Sequence, residues 1–158
     1  MEISRACDDD FSEILALQKL AFQENALRYD DPNIPPLTET LEQFREDCEG
    51  QTVLKMVENE KIIGSVRGRL NGNVCRVGRV IVHPDHWNKG IAHKMIATIE
   101  SEFDASVYEL VTGVEDHKNI SLYRKHGYEI VEGELYKITH NLYFVRMVKM
   151  NGPARPSE

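Results

Sequence analysis

Val80-Ile81-Val82-His83-Pro84 begins the stretch that decides the fold, and Asp85-His86-Trp87-Asn88-Lys89-Gly90-Ile91-Ala92-His93-Lys94-Met95 completes it. The apolar residues predict a short strand that ends at the proline, and the polar residues after it predict a turn. Apolar side chains then recur every four positions, at Ile91, Met95, Ile99 and Phe103, which is typical of an amphipathic helix. The segment therefore predicts a strand, a turn and a helix in direct succession.

The turn before this helix has the composition of a phosphate-binding loop. Gly90 and Ala92 are small, so a ligand can come close to the main chain there. The first amides of a helix have no internal partner and lie at the positive end of its dipole, which favours a bound anion. On this motif alone, a tight turn made by Gly90 with no ligand is the simpler interpretation.

In the strand upstream of the turn, the apolar residues shift from odd-numbered to even-numbered positions. Cys75 and Val77 lie on one face, and Val80 and Val82 lie on the other unless one extra residue intervenes near Gly78-Arg79. We therefore expect a β-bulge there, which would free backbone groups for a ligand. A strand buried on both faces would explain the same pattern without a bulge.

A second motif lies downstream, in Asn119-Ile120-Ser121-Leu122-Tyr123-Arg124-Lys125-His126-Gly127-Tyr128. It predicts a short helix that ends at Gly127 and is followed by a strand. Together, the Val-x-Val-His-Pro segment, the Gly90-Ile91-Ala92 turn and the Leu-Tyr-x-x-x-Gly-Tyr segment resemble the GNAT superfamily of N-acetyltransferases. The two motif blocks extend from Cys75 to Tyr128, and the predicted elements outside them fit the same fold.

The resemblance departs from the family pattern at one position. The family loop has Arg or Gln, two residues, Gly, one residue, and Gly or Ala. Gly90 and Ala92 match, but Trp87 stands at the first position. The main-chain amides remain, so the departure affects a side-chain contact rather than the site.

The resemblance implies acetyl-CoA as the donor and an amine as the acceptor. The loop amides would bind the pyrophosphate, the bulged strand would pair with the pantetheine arm, and an N–H near Ile81 or Val82 would polarise the thioester carbonyl. The residues expected to contact the cofactor are Val80, Ile81, Val82, Trp87, Asn88, Lys89, Gly90, Ile91, Ala92, His93, Asn119 and Tyr123.

Two residues are candidates for proton transfer. The resemblance gives Tyr123 the role of general acid for the leaving thiolate, and its alternative is a core aromatic. An alkyl ammonium must lose a proton before it attacks, which requires a base. The strand Val74 to Val82 carries no acid, so Glu109 on the following strand is the candidate base, with a solvated surface carboxylate as its alternative.

The acceptor site is expected in the proline-rich segment from Ala26 to Leu37, which breaks the helical pattern; a simple connection between two helices is the alternative. Its polar candidates are Arg28, Tyr29, Asp30 and Asp31. The expected acceptor is an amine of a small molecule, and a homodimer is left open.

Composition narrows the class of protein. The chain has 158 residues, and we expect a single domain over residues 1–150 with a flexible tail at 151–158. Its net charge of −7 argues against nucleic-acid binding. It has neither an apolar run of the roughly 18 residues that a membrane helix needs nor a signal peptide, so a cytoplasmic protein is expected.

Cysteine and histidine usage predicts neither disulfides nor a metal site. Cys7, Cys48 and Cys75 are odd in number and widely spaced, so reduced thiols are expected. His83, His86 and His93 crowd the loop, but no Cys or carboxylate set completes a metal site.

Read along the whole chain, the patterns predict the element order βααβββαβαββ. That order corresponds to an α/β fold with a mixed, mostly antiparallel GNAT-like sheet of about seven strands and helices on both faces. An acyl-CoA-dependent N-acetyltransferase is the leading interpretation, and a GNAT-like acyl-CoA sensor without turnover is the alternative. A P-loop nucleotide binder does not fit, because Asn88-Lys89-Gly90 lacks the required Gly-Lys-Ser/Thr order.

Overall fold

Eight strands form one continuous sheet in the computed structural model, which describes residues 1–151. The strands are β1 Glu2–Arg5, β2 Thr52–Glu58, β3 Lys61–Asn71, β4 Val74–Val82, β5 Val107–Gly113, β6 Glu129–Ile130, β7 Tyr136–Lys137 and β8 Tyr143–Met150. The helices are α1 Phe11–Ala21, α2 Gln23–Tyr29, α3 Pro35–Thr38, α4 Leu41–Cys48, α5 Ile91–Ser101 and α6 His117–Lys125.

The spatial order of the sheet is β1-β2-β3-β4-β5-β8-β6, with β7 also paired to β8. Within residues 1–151 the β4–β5 pair is parallel and every other pair is antiparallel. The expected mixed, mostly antiparallel sheet is therefore confirmed. It has one strand more than expected because the chain turns at Gly133, so the single strand expected after Gly127 becomes β6 and β7.

The segment from Ala26 to Leu37 is more regular than expected. Its first part belongs to α2, and Pro35 and Pro36 open the short helix α3, where a missing N–H costs nothing. The following helix, α4, starts at Leu41 because Thr40 caps it. Gln43 N donates to Thr40 Oγ1 at 3.1 Å, and Thr40 N donates to Gln43 Oε1 at 2.9 Å.

The sheet separates two apolar cores. On one face, α1 and α4 pack Ile14 and Phe44 against the sheet together with Ile81. On the other face, α5 and α6 pack Met95 and Tyr123, with further side chains of both helices, against the central strands. The expected arrangement of helices on both faces is thus confirmed.

The predicted β-bulge lies in β4. Arg67 of β3 pairs with Gly78, whereas Ser65 pairs with Ile81, so β4 has one residue more than β3 in this interval. Arg79 adopts a left-handed backbone with φ of 48°. The extra residue keeps Val77 and Val82 in the same apolar core although their numbers differ in parity.

Helix α5 lies close to β3 because β3 carries glycine where the two cross. A Cβ atom at Gly68 would lie 2.8 Å from Phe103 Cε2 and 3.1 Å from Ile99 Cγ1. A Cβ atom at Gly64 would lie 2.9 Å from Met95 Sδ. These distances are below normal van der Waals contact, so the position of α5, and of the loop before it, depends on these two glycines.

Asn151, expected to belong to a flexible tail, donates its backbone N–H to Ser106 O and its Nδ2 to Ala105 O, both at 2.8 Å. The rest of the expected tail, residues 152–158, lies outside the described residues.

We expect Gly68→Val to lower the free energy of unfolding by about 1–3 kcal/mol, because the new side chain overpacks the contact with Ile99 and Phe103. Urea denaturation measures this change. Gly78→Ala is the control and should alter stability little, because a Cβ at Gly78 meets no atom within 4 Å. A loss in Gly68→Val that persists undiminished in a Phe103→Ala background would contradict the proposed clash.

Candidate active site

A cavity of about 420 Å³ opens where the end of β4 meets the start of α5. Its floor is Val80, Ile81 and Val82, and one wall is the loop from Trp87 to His93. The opposite wall comes from α6, through Asn119 and Tyr123, and from α1 and α2. Two sequence motifs separated by more than twenty residues therefore line one cavity, which we call the first cavity.

The loop before α5 has a backbone suited to an anion. Asn88 and Gly90 both have positive φ, of 63° and 79°. Left-handed residues next to a helix start turn successive N–H groups toward one point, and the first amides of the helix have no helical partner. A Cβ at Gly90 would meet no atom within 4 Å, so open space lies beside this backbone. The geometry supports an anion on the amides that follow Gly90.

Trp87, which stands where Arg or Gln was expected, anchors the loop through its indole ring. Its Nε1 donates to Val82 O at 2.7 Å, which ties the loop to the end of β4. Lys118 Nζ lies 5.1 Å from the centroid of the Trp87 ring, within cation–π distance. Lys118 also lines the first cavity, so a positive charge lies beside this loop.

The strands β4 and β5 separate beside the first cavity. Their parallel ladder covers Val74–Arg76 and Val107–Glu109. A second cavity of about 280 Å³ lies beyond that ladder and is lined by residues of both strands, including Val77 to Val80 and Val111 to Gly113. The two cavities share Phe22, Asn25, Val80, Asp116, Asn119 and Tyr123. A cleft thus passes through the sheet from one face toward the other.

Tyr123 lies at the junction of the two cavities. Its side chain is almost fully buried, and its ring packs edge-to-face against Tyr128 with centroids 6.1 Å apart. Burial, and secondarily the negative charge of Asp116, raise the pKa of the Tyr123 phenol above its ordinary value. The phenol is therefore protonated at neutral pH and available as a donor.

Asp116 is a junction residue that the sequence analysis missed. It caps α6, accepting from Asn119 N at 3.3 Å and from Asn119 Nδ2 at 2.8 Å. Asn25 Nδ2 lies 3.3 Å and Arg28 3.7 Å from Asp116 Oδ2. The sequence does indicate this role, because Asp is a typical N-cap residue. It was missed because the helix was expected to start at Asn119 rather than directly after Asp116.

The four residues predicted for the acceptor site are split by the structure. Arg28 lines the first cavity and Tyr29 the second. Burial and the charge of Asp116 raise the pKa of Tyr29. Asp30 ends α2 with a left-handed backbone, and Asp31 accepts from Asn33 N at 2.9 Å, so both shape the turn and neither lines a cavity.

Glu109 lies away from both cavities. It stands opposite Arg76 in the β4–β5 ladder, and its carboxylate binds Arg76 Nε at 3.0 Å and Arg146 at 2.9 Å. Glu109, the candidate base, is thus held by two guanidinium groups and lines neither cavity. Lys89 is the one predicted cofactor residue that lines neither cavity in the described chain.

The structure also bears on metal binding and on membrane insertion. Within residues 1–151, no group of three or more His, Cys, Asp or Glu side chains is placed to hold a metal ion. No helix of the described part of the chain is long and apolar enough to cross a membrane.

Sequence comparison gives two matches. Residues 11–128 match the acetyltransferase (GNAT) family. The chain is also similar to the UPF0157 protein YqkA of Bacillus subtilis (strain 168), at 29% identity over 145 residues. That alignment covers 87% of this chain but 41% of the relative, so the chain spans less than half the length of this curated relative.

Structural comparison gives the same fold. The ribosomal-protein-alanine N-acetyltransferase of Brucella melitensis superimposes with a TM-score of 0.74 at 19% identity, over 95% of this chain and 99% of that one. An aminoglycoside 6'-acetyltransferase type Ii superimposes with a TM-score of 0.73 at 18% identity, over 95% and 97% of the two chains.

Proposed function

The chain belongs to the acetyltransferase (GNAT) family, and we propose that it transfers an acetyl group from acetyl-CoA to an amine of a small molecule. The observation that carries the proposal is the cleft between the separated strands β4 and β5, with the positive-φ loop before α5 on one side and the second cavity on the other. The cleft gives two substrates separate entrances to one point, which a transfer reaction requires.

The first cavity suits the donor. The amides after Gly90 would hold the pyrophosphate, and Lys118 and Lys125 on the cavity wall add positive charge. Residues in a strand direct their N–H and C=O groups alternately to either side, so β4 beyond Arg76 offers unpaired groups to the amide-rich pantetheine arm. The same strand places N–H groups near the thioester carbonyl, where they would stabilise the oxyanion.

The chemistry requires one bond to form and one to break. The neutral amine nitrogen attacks the thioester carbon, a C–N bond forms, and the C–S bond breaks with its electron pair on sulfur. The ammonium form of the acceptor loses one proton before the attack, the nitrogen loses a second as the amide forms, and the departing thiolate gains one. Tyr123, protonated and placed at the junction of the cavities, is assigned to donate to the departing sulfur.

Asp116 takes the role for which Glu109 was considered. It lines both cavities, whereas the Glu109 carboxylate is bound by two arginines outside them. We assign Asp116 to hold the acceptor's ammonium group and to accept its proton, directly or through water.

The size of the second cavity favours a small acceptor. Its volume of about 280 Å³ suits a molecule of amino-acid size. The test of the proposed function is release of free thiol from acetyl-CoA over a panel of small amines, with a peptide bearing a free N-terminus as comparison. Tight CoA binding without thiol release on any acceptor would instead identify a sensor.

We expect Gly90→Val to weaken CoA binding about 10-fold to 100-fold. The left-handed backbone at Gly90 disfavours any β-branched residue, and the new side chain would enter the space beside the amides. Loss of one charge-assisted hydrogen bond, about 1.5–3 kcal/mol, gives this factor. Isothermal calorimetry with CoA measures it.

Trp87→Ala is the matched comparison in the same loop. It removes the bond to Val82 O but leaves the amides in place, so it should weaken CoA less than Gly90→Val does. The ranking is wrong if Trp87→Ala is the more damaging change, in which case the indole itself contacts the cofactor.

We expect Tyr123→Phe to lower kcat about 10²–10⁴-fold with little change in KM for acetyl-CoA, because the ring is kept and only the proton donor is lost. Steady-state kinetics on the best acceptor of the panel, with a thermal melt, measure both effects. Tyr108→Phe is the control, since Tyr108 is a buried tyrosine whose hydroxyl binds Glu100 O and Phe103 O away from the cleft. Unchanged kcat in a folded Tyr123→Phe variant would refute the assigned role.

We expect Asp116→Asn to lower kcat/KM for the acceptor by at least about 100-fold while CoA affinity stays close to that of the parent. Asn is as good an N-cap as Asp, so α6 should remain intact. Asp30→Asn, an exchange outside both cavities, is the control. Parent-like kcat/KM at every pH for Asp116→Asn would assign the proton to another acceptor.

A further inference from the structure

The second cavity has a strongly basic wall in an acidic protein. The chain carries a net charge of −7. Nevertheless, Arg67, Arg76 and Arg79 line this cavity, and Asp116 is the one carboxylate among its described lining residues. Arg76 is already bound to Glu109, so Arg67 and Arg79 are the two guanidinium groups that remain to be explained.

Arg67 is buried without a charged partner in bonding distance. Its side chain lies on β3, and the residue is only 8% exposed. Its Nη1 donates to the Cys48 thiol at 3.3 Å, and its guanidinium lies 5.4 Å above the centroid of the Phe44 ring. A thiol and an aromatic face are weak partners for a full positive charge.

Arg79 is also poorly satisfied. Its Nε is buried and has no hydrogen-bond partner among the described residues. Its contact with Glu39 Oε1 measures 3.7 Å, which is beyond hydrogen-bond distance, and that oxygen already accepts from Gln18 Nε2 at 2.9 Å. Burial, followed by the neighbouring charge of Arg67, lowers the pKa of Arg79. The charges of the two guanidinium groups thus oppose each other, and the Glu39 carboxylate, which attracts both, is hydrogen-bonded to neither among the described residues.

The backbone keeps Arg79 in this position at a cost. Arg79 is the left-handed residue of the β4 bulge, a conformation that is unfavourable for a residue with a Cβ. Strained residues of this kind persist at sites where function requires them. An anion in the second cavity would supply the missing acceptor and relieve the repulsion between Arg67 and Arg79.

We propose that the acceptor carries a carboxylate as well as its amine, and that Arg79 and Arg67 bind this carboxylate while Asp116 receives the ammonium group. This inference rests on the proposed function. The cavity then matches a zwitterion: Asp116 lies at the junction with the first cavity, and the arginines lie in the part that the first cavity does not share. A planar guanidinium fork suits a carboxylate in particular. The substrate class is an amino acid or another small amino carboxylate.

Matched acceptors test the inference. Thiol release from acetyl-CoA is measured with γ-aminobutyrate against propylamine, β-alanine against ethylamine, and α-amino acids against their amides. We expect each carboxylate to have the higher kcat/KM, by about 10-fold to 100-fold, the usual worth of a hydrogen bond to a charged group. O-Phosphoethanolamine against ethanolamine is the phosphate arm, and a larger preference there would overturn the assignment to a carboxylate.

Variants of Arg67 and Arg79 test whether these two residues cause the preference for acceptors that carry a carboxylate. Arg79→Gln should reduce the ratio of kcat/KM within each pair toward one, and Arg67→Gln should act in the same direction. Arg79→Lys keeps the charge but loses the fork, so it should reduce the ratio partially. If Arg79→Gln does not fold, Arg79→Lys takes its place in the test. Arg69→Gln is the control, because Arg69 lies on the same strand as Arg67 but outside both cavities, and it should leave the ratio unchanged.

A binding measurement separates this inference from the proposed function. Calorimetry of γ-aminobutyrate and propylamine with the CoA-bound protein needs no turnover. Tighter, Arg79-dependent binding of γ-aminobutyrate without thiol release would support the carboxylate site and overturn the acetyltransferase. Turnover with equal kcat/KM for both members of each pair, unchanged in Arg79→Gln, would overturn the carboxylate site and leave the acetyltransferase standing.

Discussion

The separation of β4 from β5 is the constraint on which the rest of the structure depends. The parallel ladder between them is short, and one extra residue in β4 follows it at Arg79. A bulge increases twist and bends its strand, so β4 turns away while β5 stays paired with β8 along its whole length. Both cavities open into the gap that results. Continuing the ladder between β4 and β5 would close the gap into which both cavities open.

The position of the anion-binding loop depends on packing elsewhere. Gly64 and Gly68 let α5 lie close to β3, and the loop before α5 is bound to β4 through Trp87 and Val82. The helix start therefore cannot shift along the sheet without breaking a buried apolar contact or this hydrogen bond. Rigidity of this kind keeps the amides oriented before a ligand arrives, so binding costs less conformational entropy.

Local patterns predicted most of the fold. The bulge near Gly78-Arg79 and the helix from Ile91 are each encoded within a few residues, by parity or period. The first cavity followed from the same motifs, because its loop and floor are consecutive in sequence. The extra strand β7 was missed because Gly133 interrupts a pattern that reads as one strand.

The second cavity was beyond such reasoning because its residues come from distant strands. Arg67, Arg79 and Tyr29 meet through the register of β3 with β4 and through the angle of α2, neither of which a single sequence specifies. The surroundings of Glu109 could not be predicted for the same reason, because they depend on Arg76, which lies opposite it on the neighbouring strand.

Charge illustrates why a global property is a poor guide to a site. The net charge of −7 is mildly compatible with a cationic ligand, yet the buried wall of the second cavity is cationic. Surface carboxylates are screened within about 8–10 Å at physiological ionic strength, so they contribute little inside a cavity. Guanidinium groups in a low-dielectric wall act on a ligand at contact distance and are screened far less. In the acceptor site that we propose, recognition would therefore depend on Arg67, Arg79 and Asp116 rather than on the overall charge of the chain. Two of the structural neighbours likewise share this fold but are named for different acceptors.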